Sequence, residues 1–252
     1  MGQSVMLTGM VLSSMPVGEY DRRVVILTRE RGKISGFARG ARRPKSAMVG
    51  AVNPFCFGQF EVYEGRRSYT IVRALISNYF QEIREDLIKT GYGQYFLEIA
   101  DYFSMENADG TNQLKLLYQT LRALSVPSLD PRLVRRIYEL KTLVFYGVYP
   151  DFFHCAACGK TEGLILYSPA RAGMLCRSCA GTQIGIQPGD TALYTLQFIV
   201  SQPVEKLYTF TVTGEVLQRV EQVVEEAFRL CTGKTFRSLE FLNGILSPGY
   251  FP

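Results

Sequence analysis

The sequence predicts an α+β chain, with an N-terminal five-stranded barrel followed by an α-helical domain that carries a four-cysteine zinc module. Three observations predict this. Short β-rich runs punctuated by turns fill residues 1–80, and from about residue 82 the apolar period lengthens from 2 to 3.6. Two Cys-x-x-Cys pairs then stand with 17 residues between them. At 252 residues, 47% hydrophobic and 20% charged, the chain can bury a sizeable core.

The barrel comes first. Val5–Leu12 is one run, Arg23–Thr28 a β-branched second, and Lys33–Ala38 a third after the Arg31-Gly32 turn. Gln59–Tyr63 and Tyr69–Arg73 alternate across the Glu64-Gly65 turn. Five short strands suit a small closed barrel, because closure removes the sheet edges. The OB-fold is the five-stranded barrel that binds oligonucleotides, although a fold by itself does not establish a function.

Charge singles out the same segment. The whole chain is only +5, from 28 Lys and Arg against 23 Asp and Glu. Residues 1–80 carry 12 of the bases and five of the acids, which is +7, and the remainder is −2. A basic barrel beside a near-neutral body suits an anionic partner at one end. Between the third and fourth runs, Arg39, Arg42, Arg43 and Lys45 stand within seven residues broken by Gly40 and Pro44. Glycine and proline keep this stretch out of a regular element, so its cations project from a loop. Arginine's planar fork suits phosphate, and the loop is read as phosphate-binding rather than merely solvated. Phe37, Phe55, Phe57 and Tyr63 can stack bases, but strand aromatics usually fill a core, and the core is the expectation for them.

The helical body is expected in residues 81–152 and 183–252, with the cysteine module at 153–182. Leu87, Ile88, Tyr92, Tyr95, Phe96, Ile99 and Phe103 make one apolar face, and Leu114, Leu117, Leu121 and Leu124 another. Asp130 can cap a third helix that begins at Pro131 and ends by Gly147 and Pro150. Asp190–Val200, the stripe Val216 to Cys231, and Phe236–Asn243 read as later helices. Cys231, at the end of that stripe, and Cys56 are both expected to be small buried hydrophobes.

Cys155, Cys158, Cys176 and Cys179 form C-x2-C-x17-C-x2-C, which is four-cysteine zinc spacing: two tight turns each supply two ligands of a tetrahedron. Leu164–Tyr167 and Gly173–Leu175 read as a hairpin carrying the second pair. Four thiolates close the coordination sphere, so a structural site is expected over a catalytic one. The zinc-deaminase pattern is absent, and the pairs lack the βαβ context of a thioredoxin motif. His154 is a fifth candidate ligand, though a flanking position suits it better.

Other signals fail. Gly233-Lys234-Thr235 lacks the earlier P-loop glycine, and Gly91–Phe96 is a broken glycine-rich pattern that follows no strand. A single histidine leaves little for imidazole catalysis, and no convincing catalytic constellation appears, so the chain is expected not to be an enzyme. No apolar run approaches a membrane span, and the N-terminus lacks the basic region and apolar run that a signal peptide would show. The Met-Gly start has Met6 where myristoylation wants Ser or Thr. Paired cysteines read as metal ligands imply a reducing compartment, and the expectation is a cytoplasmic protein.

Three stretches then carry a specific resemblance. They are Pro16–Asp21 with Val24–Thr28 and Gly32–Ile34, next Ala38–Ser46 continuing to Pro54-Phe55, and Tyr146–Pro150 leading into Cys155–Gly159. Gly233–Ser238 with Phe241-Leu242 adds to them. With this order of parts, the chain resembles the RecO family of bacterial recombination mediators over nearly its whole length. The resemblance implies an OB-fold, a helical body and structural zinc. It also implies binding of single- and double-stranded DNA and annealing of complementary strands. With RecR, and in some pathways RecF, such proteins help load RecA onto DNA coated by single-stranded-DNA-binding protein, whose C-terminal tail the helical body contacts. That implies a bacterial protein at the nucleoid. The alternative left open by the residues is another OB-fold and zinc-ribbon factor acting on RNA or in transcription; a zinc hydrolase or thiol redox enzyme is the third reading.

Overall fold

The computed structural model describes residues 4–65 and 68–246. Arg66, Arg67 and the two chain ends, including the Met-Gly start, lie outside the described residues. The remainder divides into two compact units, one within 1–125 and 236–252 and the other within 126–235.

The first unit opens with five strands: β1 (Ser4–Val17), β2 (Asp21–Thr28), β3 (Gly32–Ala38), β4 (Phe57–Glu64) and β5 (Tyr69–Asn78). They close into a barrel in the order β1-β2-β3-β5-β4, with β3 and β5 parallel and the other pairs antiparallel. This is the expected five-stranded OB-fold barrel. The alternation seen in the sequence fills it: Leu7, Val24, Ile26, Ile34, Phe60 and Val62 all point into one apolar core. Two strands run further than expected. β1 continues past Leu12 to Val17, and β5 past Arg73 to Asn78, with bulges at Leu12 and Val72 that re-aim each strand. Cys56 is buried in this core, as expected.

Helices α1 (Gln81–Arg84), α2 (Leu87–Phe103) and α3 (Thr111–Leu124) follow, and α8 (Arg237–Leu246) belongs to the same unit. Asp86 caps α2 by accepting from the Lys89 N–H. Tyr92, Tyr95, Phe96 and Ile99 are buried on α2, but Leu87 and Ile88 are exposed. The first turn of α2 therefore lies outside the stripe that the sequence had assigned to it. Glu98 on α2 accepts from the Ser238 N–H at 2.9 Å and so satisfies an otherwise orphaned donor at the start of α8.

The second unit holds α4 (Pro131–Phe145), a three-stranded sheet of β6 (Asp151–Cys155), β7 (Leu164–Ser168) and β8 (Gly173–Cys176), the short α5 (Arg177–Ala180), then α6 (Asp190–Ser201) and α7 (Gly214–Thr232). Asp130 caps α4 and Pro131 opens it, as expected. β7 and β8 are the expected antiparallel pair; β6, which runs parallel to β8, is additional. On α7 the buried stripe ends at Phe228. Cys231 is exposed, and its thiol donates to the Val148 carbonyl at 2.9 Å. The expectation of a buried Cys231 is thus corrected: the last turn of α7 has left the packed face, and the thiol takes a polar partner instead.

Candidate nucleic-acid interface and metal centre

The loop after β3 is built on the β1–β2 hairpin. Gly40 adopts φ +65°, a conformation open to glycine at little cost, and its N–H donates to Asp21 Oδ1 at 2.8 Å. The Arg42 N–H donates to the Tyr20 carbonyl at 2.9 Å, and its guanidinium to the Gly18 carbonyl at 3.2 Å. The Arg43 guanidinium sits 5.2 Å from the centre of the Tyr20 ring, a cation–π contact. Arg39, Arg42, Arg43 and Lys45 are all exposed, on one tethered loop. Among the described residues, Arg39 and Lys45 have no hydrogen bond or ion pair from their side chains. The stretch Arg39–Lys45 contains no acid, so its field is uncompensated within the loop.

Next to the loop, strand periodicity arranges a face that the sequence reading missed. Arg23 pairs across β2 and β3 with Phe37, and the Arg23 guanidinium donates to Ser35 Oγ at 3.1 Å. Arg23, Ser35 and Phe37 therefore share the outer side of the barrel. The signal was the period-two register itself, once β2 and β3 are paired. Of the four aromatics expected in the core, Phe55 is buried and Phe57 is half-buried against Tyr118 at 4.6 Å. Phe37 is only half-buried and Tyr63 is exposed. Both sit at outward registers, which corrects the core expectation for them.

In the second unit, Cys155, Cys158, Cys176 and Cys179 converge, with all four Sγ atoms within 4.8 Å of one another. The first turn closes where the Gly159 N–H donates to the Cys155 carbonyl at 2.8 Å, with Gly159 at φ +75°. β8 delivers Cys176, whose N–H donates to Cys155 Sγ at 3.3 Å. Cys158 and Cys176 Sγ are 3.7 Å apart. Sulfur ligands at about 2.3 Å around a tetrahedral ion lie roughly 3.8 Å from one another, so the cluster can hold a metal ion.

The thiol electrostatics agree. Burial pushes Cys155 up, but the N–H groups of Cys176, Ala157 and Cys158 outweigh it and hold the thiol at about 6. The Cys179 N–H holds Cys176 below the ordinary thiol range. Cys179, facing the Cys158 and Cys176 side chains, is pushed up to about 12. Four thiolates this close would repel one another, and a divalent cation would supply the opposing charge. His154 is not part of the cluster. Its Nδ1 lies 3.0 Å from Asp151 Oδ2, and Asp151 Oδ1 accepts from the Phe153 and His154 N–H groups. Burial pushes Asp151 up, but these bonds outweigh it and hold the carboxyl below its usual range. Among the described residues no helix is long and apolar enough to cross a membrane.

Comparison with known proteins covers both regions. Residues 1–80 match the family model for the N-terminal part of recombination protein O, and residues 84–240 the model for its C-terminal part. The DNA repair protein RecO of Acetivibrio thermocellus is 29% identical over 238 residues, which cover 94% of this chain and 95% of that one. The protein of the same name from Alkaliphilus metalliredigens is 27% identical over 240 residues, 94% of this chain and 98% of its own. That of Desulforamulus reducens reaches 34% over 176 residues, 69% and 68% of the two chains. The chain belongs to the RecO family.

Proposed function

We propose that this chain is a DNA-binding mediator of recombinational repair that brings complementary strands together. The observation that carries the reading is the set of four exposed cations, Arg39, Arg42, Arg43 and Lys45, on one tethered loop beside the Arg23–Phe37 face. Cations on the loop take phosphates of single- and double-stranded DNA, and Phe37 offers a ring to an unstacked base. Annealing needs no active-site base. Two polyanions pair faster when bound cations screen their repulsion, so the chain acts without being an enzyme.

Cys155, Cys158, Cys176 and Cys179 hold a structural zinc ion. With four sulfur ligands the ion has no open position, and it supplies folding energy rather than chemistry. Family membership supports the protein partners: RecR, with which the chain helps load RecA in the RecA/RecF pathway, and the C-terminal tail of single-stranded-DNA-binding protein. Its place of action is the bacterial nucleoid, in the cytoplasm.

If each of the four loop cations neutralises one phosphate, they contribute about −3 to the salt slope on single strands. Charge reversal at all four is expected to weaken binding to every sequence alike, to flatten that slope, and to slow annealing of DNA coated by single-stranded-DNA-binding protein. Binding and slope equal to wild type would overturn the loop assignment.

A further inference from the structure

The β1–β2 hairpin carries apolar side chains that the barrel does not use. β1 pairs with β4 only as far as Met10; from Ser13 to Val17 it pairs with β2 alone, through rungs that include Met15–Arg23 and Val17–Asp21. β2 carries β3 on its other side as far as Arg22, so this end of β1 is a free sheet edge and the Val17–Asp21 rung projects beyond the other strands. Met15 is 64% exposed and Val17 40%, and the period-two register puts both on one side, the side of Arg23. At the tip Arg42 holds the Gly18 carbonyl and Arg43 lies over Tyr20. Two exposed aliphatic side chains therefore stand beside Arg23 and near the Arg42–Arg43 turn, and the Asp21 carboxylate opposite Val17 is taken by the Gly40 N–H.

This juxtaposition selects a ligand. The cations call for phosphates, and between phosphates a nucleic acid offers bases. Methionine and small aliphatic side chains are poor stacking platforms, but they are the kind of wedge that enters a base step and unstacks it. An intact duplex resists such entry, whereas the end of a duplex beside a single strand has a terminal pair already freed on one side. A strand end held in a sheet also gives up little freedom when its side chains insert.

We propose that the Met15–Val17 tip is a wedge for the terminal base step of a single–double-strand DNA junction, with Arg42 and Arg43 holding the flanking phosphates. The proposal rests on the DNA-binding reading above and adds the class of DNA that the hairpin recognises. It would place the chain at the moving end of a growing duplex, where annealing proceeds.

The test uses the full chain and two DNAs of one sequence, a junction with 2-aminopurine in its terminal pair and the plain single strand. Wild type is expected to raise 2-aminopurine fluorescence and to prefer the junction. The double variant Met15→Ser/Val17→Ser should lose the fluorescence rise and the preference while keeping its single-strand affinity and salt slope. Because both positions are exposed, its thermal melting should match wild type. Met15→Phe, which restores a large apolar tip, should retain the rise. A serine variant that keeps both rise and preference overturns the wedge and leaves the tip to a protein partner. Wild type that binds both DNAs without any rise also overturns the wedge but spares the DNA-binding reading. Failure of wild type to bind either DNA overturns both.

Discussion

The interior of the barrel and the interior of the second unit are filled on different principles. Every residue of the barrel's core cluster is apolar or a cysteine, from Leu7 to Ile71, and the ladder of β1 to β5 closes on itself. The second unit buries Arg136, Glu139 and Lys141 as well as two of its metal-site thiols, Cys155 and Cys176. Its sheet is short and irregular, with β6 meeting β8 at only two registered positions. Burial of apolar area alone can hold the barrel. The second unit depends on particular partners for particular polar groups, and removing one partner there leaves a buried group unsatisfied.

The largest test of this contrast is removal of the proposed zinc ion. A four-cysteine module of about 30 residues is too small to supply its own core, and apparent zinc binding by such peptides is on the order of 10–16 kcal/mol. Chelation, or Cys176→Ser, is expected to release about one equivalent of zinc and to abolish hydrogen-exchange protection of β6 to β8. The thiols should alkylate only after chelation. The barrel amides should keep their protection throughout. Retained protection in β8 without metal, or simultaneous loss of protection in β1 to β5, would break the contrast.

A smaller effect is expected from the other side. Phe60 is fully buried at the centre of the barrel, between register partners on β1 and β5. Phe60→Ala removes a ring and leaves a cavity that the closed ladder cannot collapse, a loss of about 3–5 kcal/mol. Chemical denaturation should show that loss in the barrel while zinc content stays unchanged.

The same difference governs what could be read beforehand. The barrel was legible because alternation and turn residues are local, and Val24, Ile26 and Ile34 announce their side of the strand by position alone. Its misjudged parts are those where register decides. Phe37 has the composition of a core residue, yet it lies on the outer face because its neighbours in β3, Gly36 and Ala38, take the inner one. The cysteine cluster was legible from spacing, which fixes ligand geometry without any knowledge of the fold. β6 was not, because a five-residue strand that buries one ring, Phe152, and registers with β8 at two positions has almost no hydrophobic period. Nor were the buried charges. In sequence, Lys141 looks like any helix-surface cation, and only the end of α6 explains why it is inside.

Lys141 gives the finest test of the contrast. Its Nζ donates to the carbonyls of Ile199, Val200 and Gln202 at 3.1, 2.8 and 2.7 Å, at the C-terminus of α6. Those carbonyls have no helical donor, and a cation there also opposes the helix dipole. Lys141→Met keeps the apolar stem but removes the donor, at an expected loss of about 1–3 kcal/mol. Burial pulls the lysine below its ordinary value of 10.5. Between the lowered folded value and 10.5, the unfolded chain binds more protons than the folded one, so this group's contribution to stability rises with pH. Below the folded value both states are protonated and its contribution no longer changes with pH. The stability of wild type relative to Lys141→Met, measured by urea denaturation, should therefore be flat near neutrality and climb in the alkaline range. An alkaline fall would mean that the three carbonyls raise the lysine more than burial lowers it, and that the second unit shelters this charge better than its depth suggests.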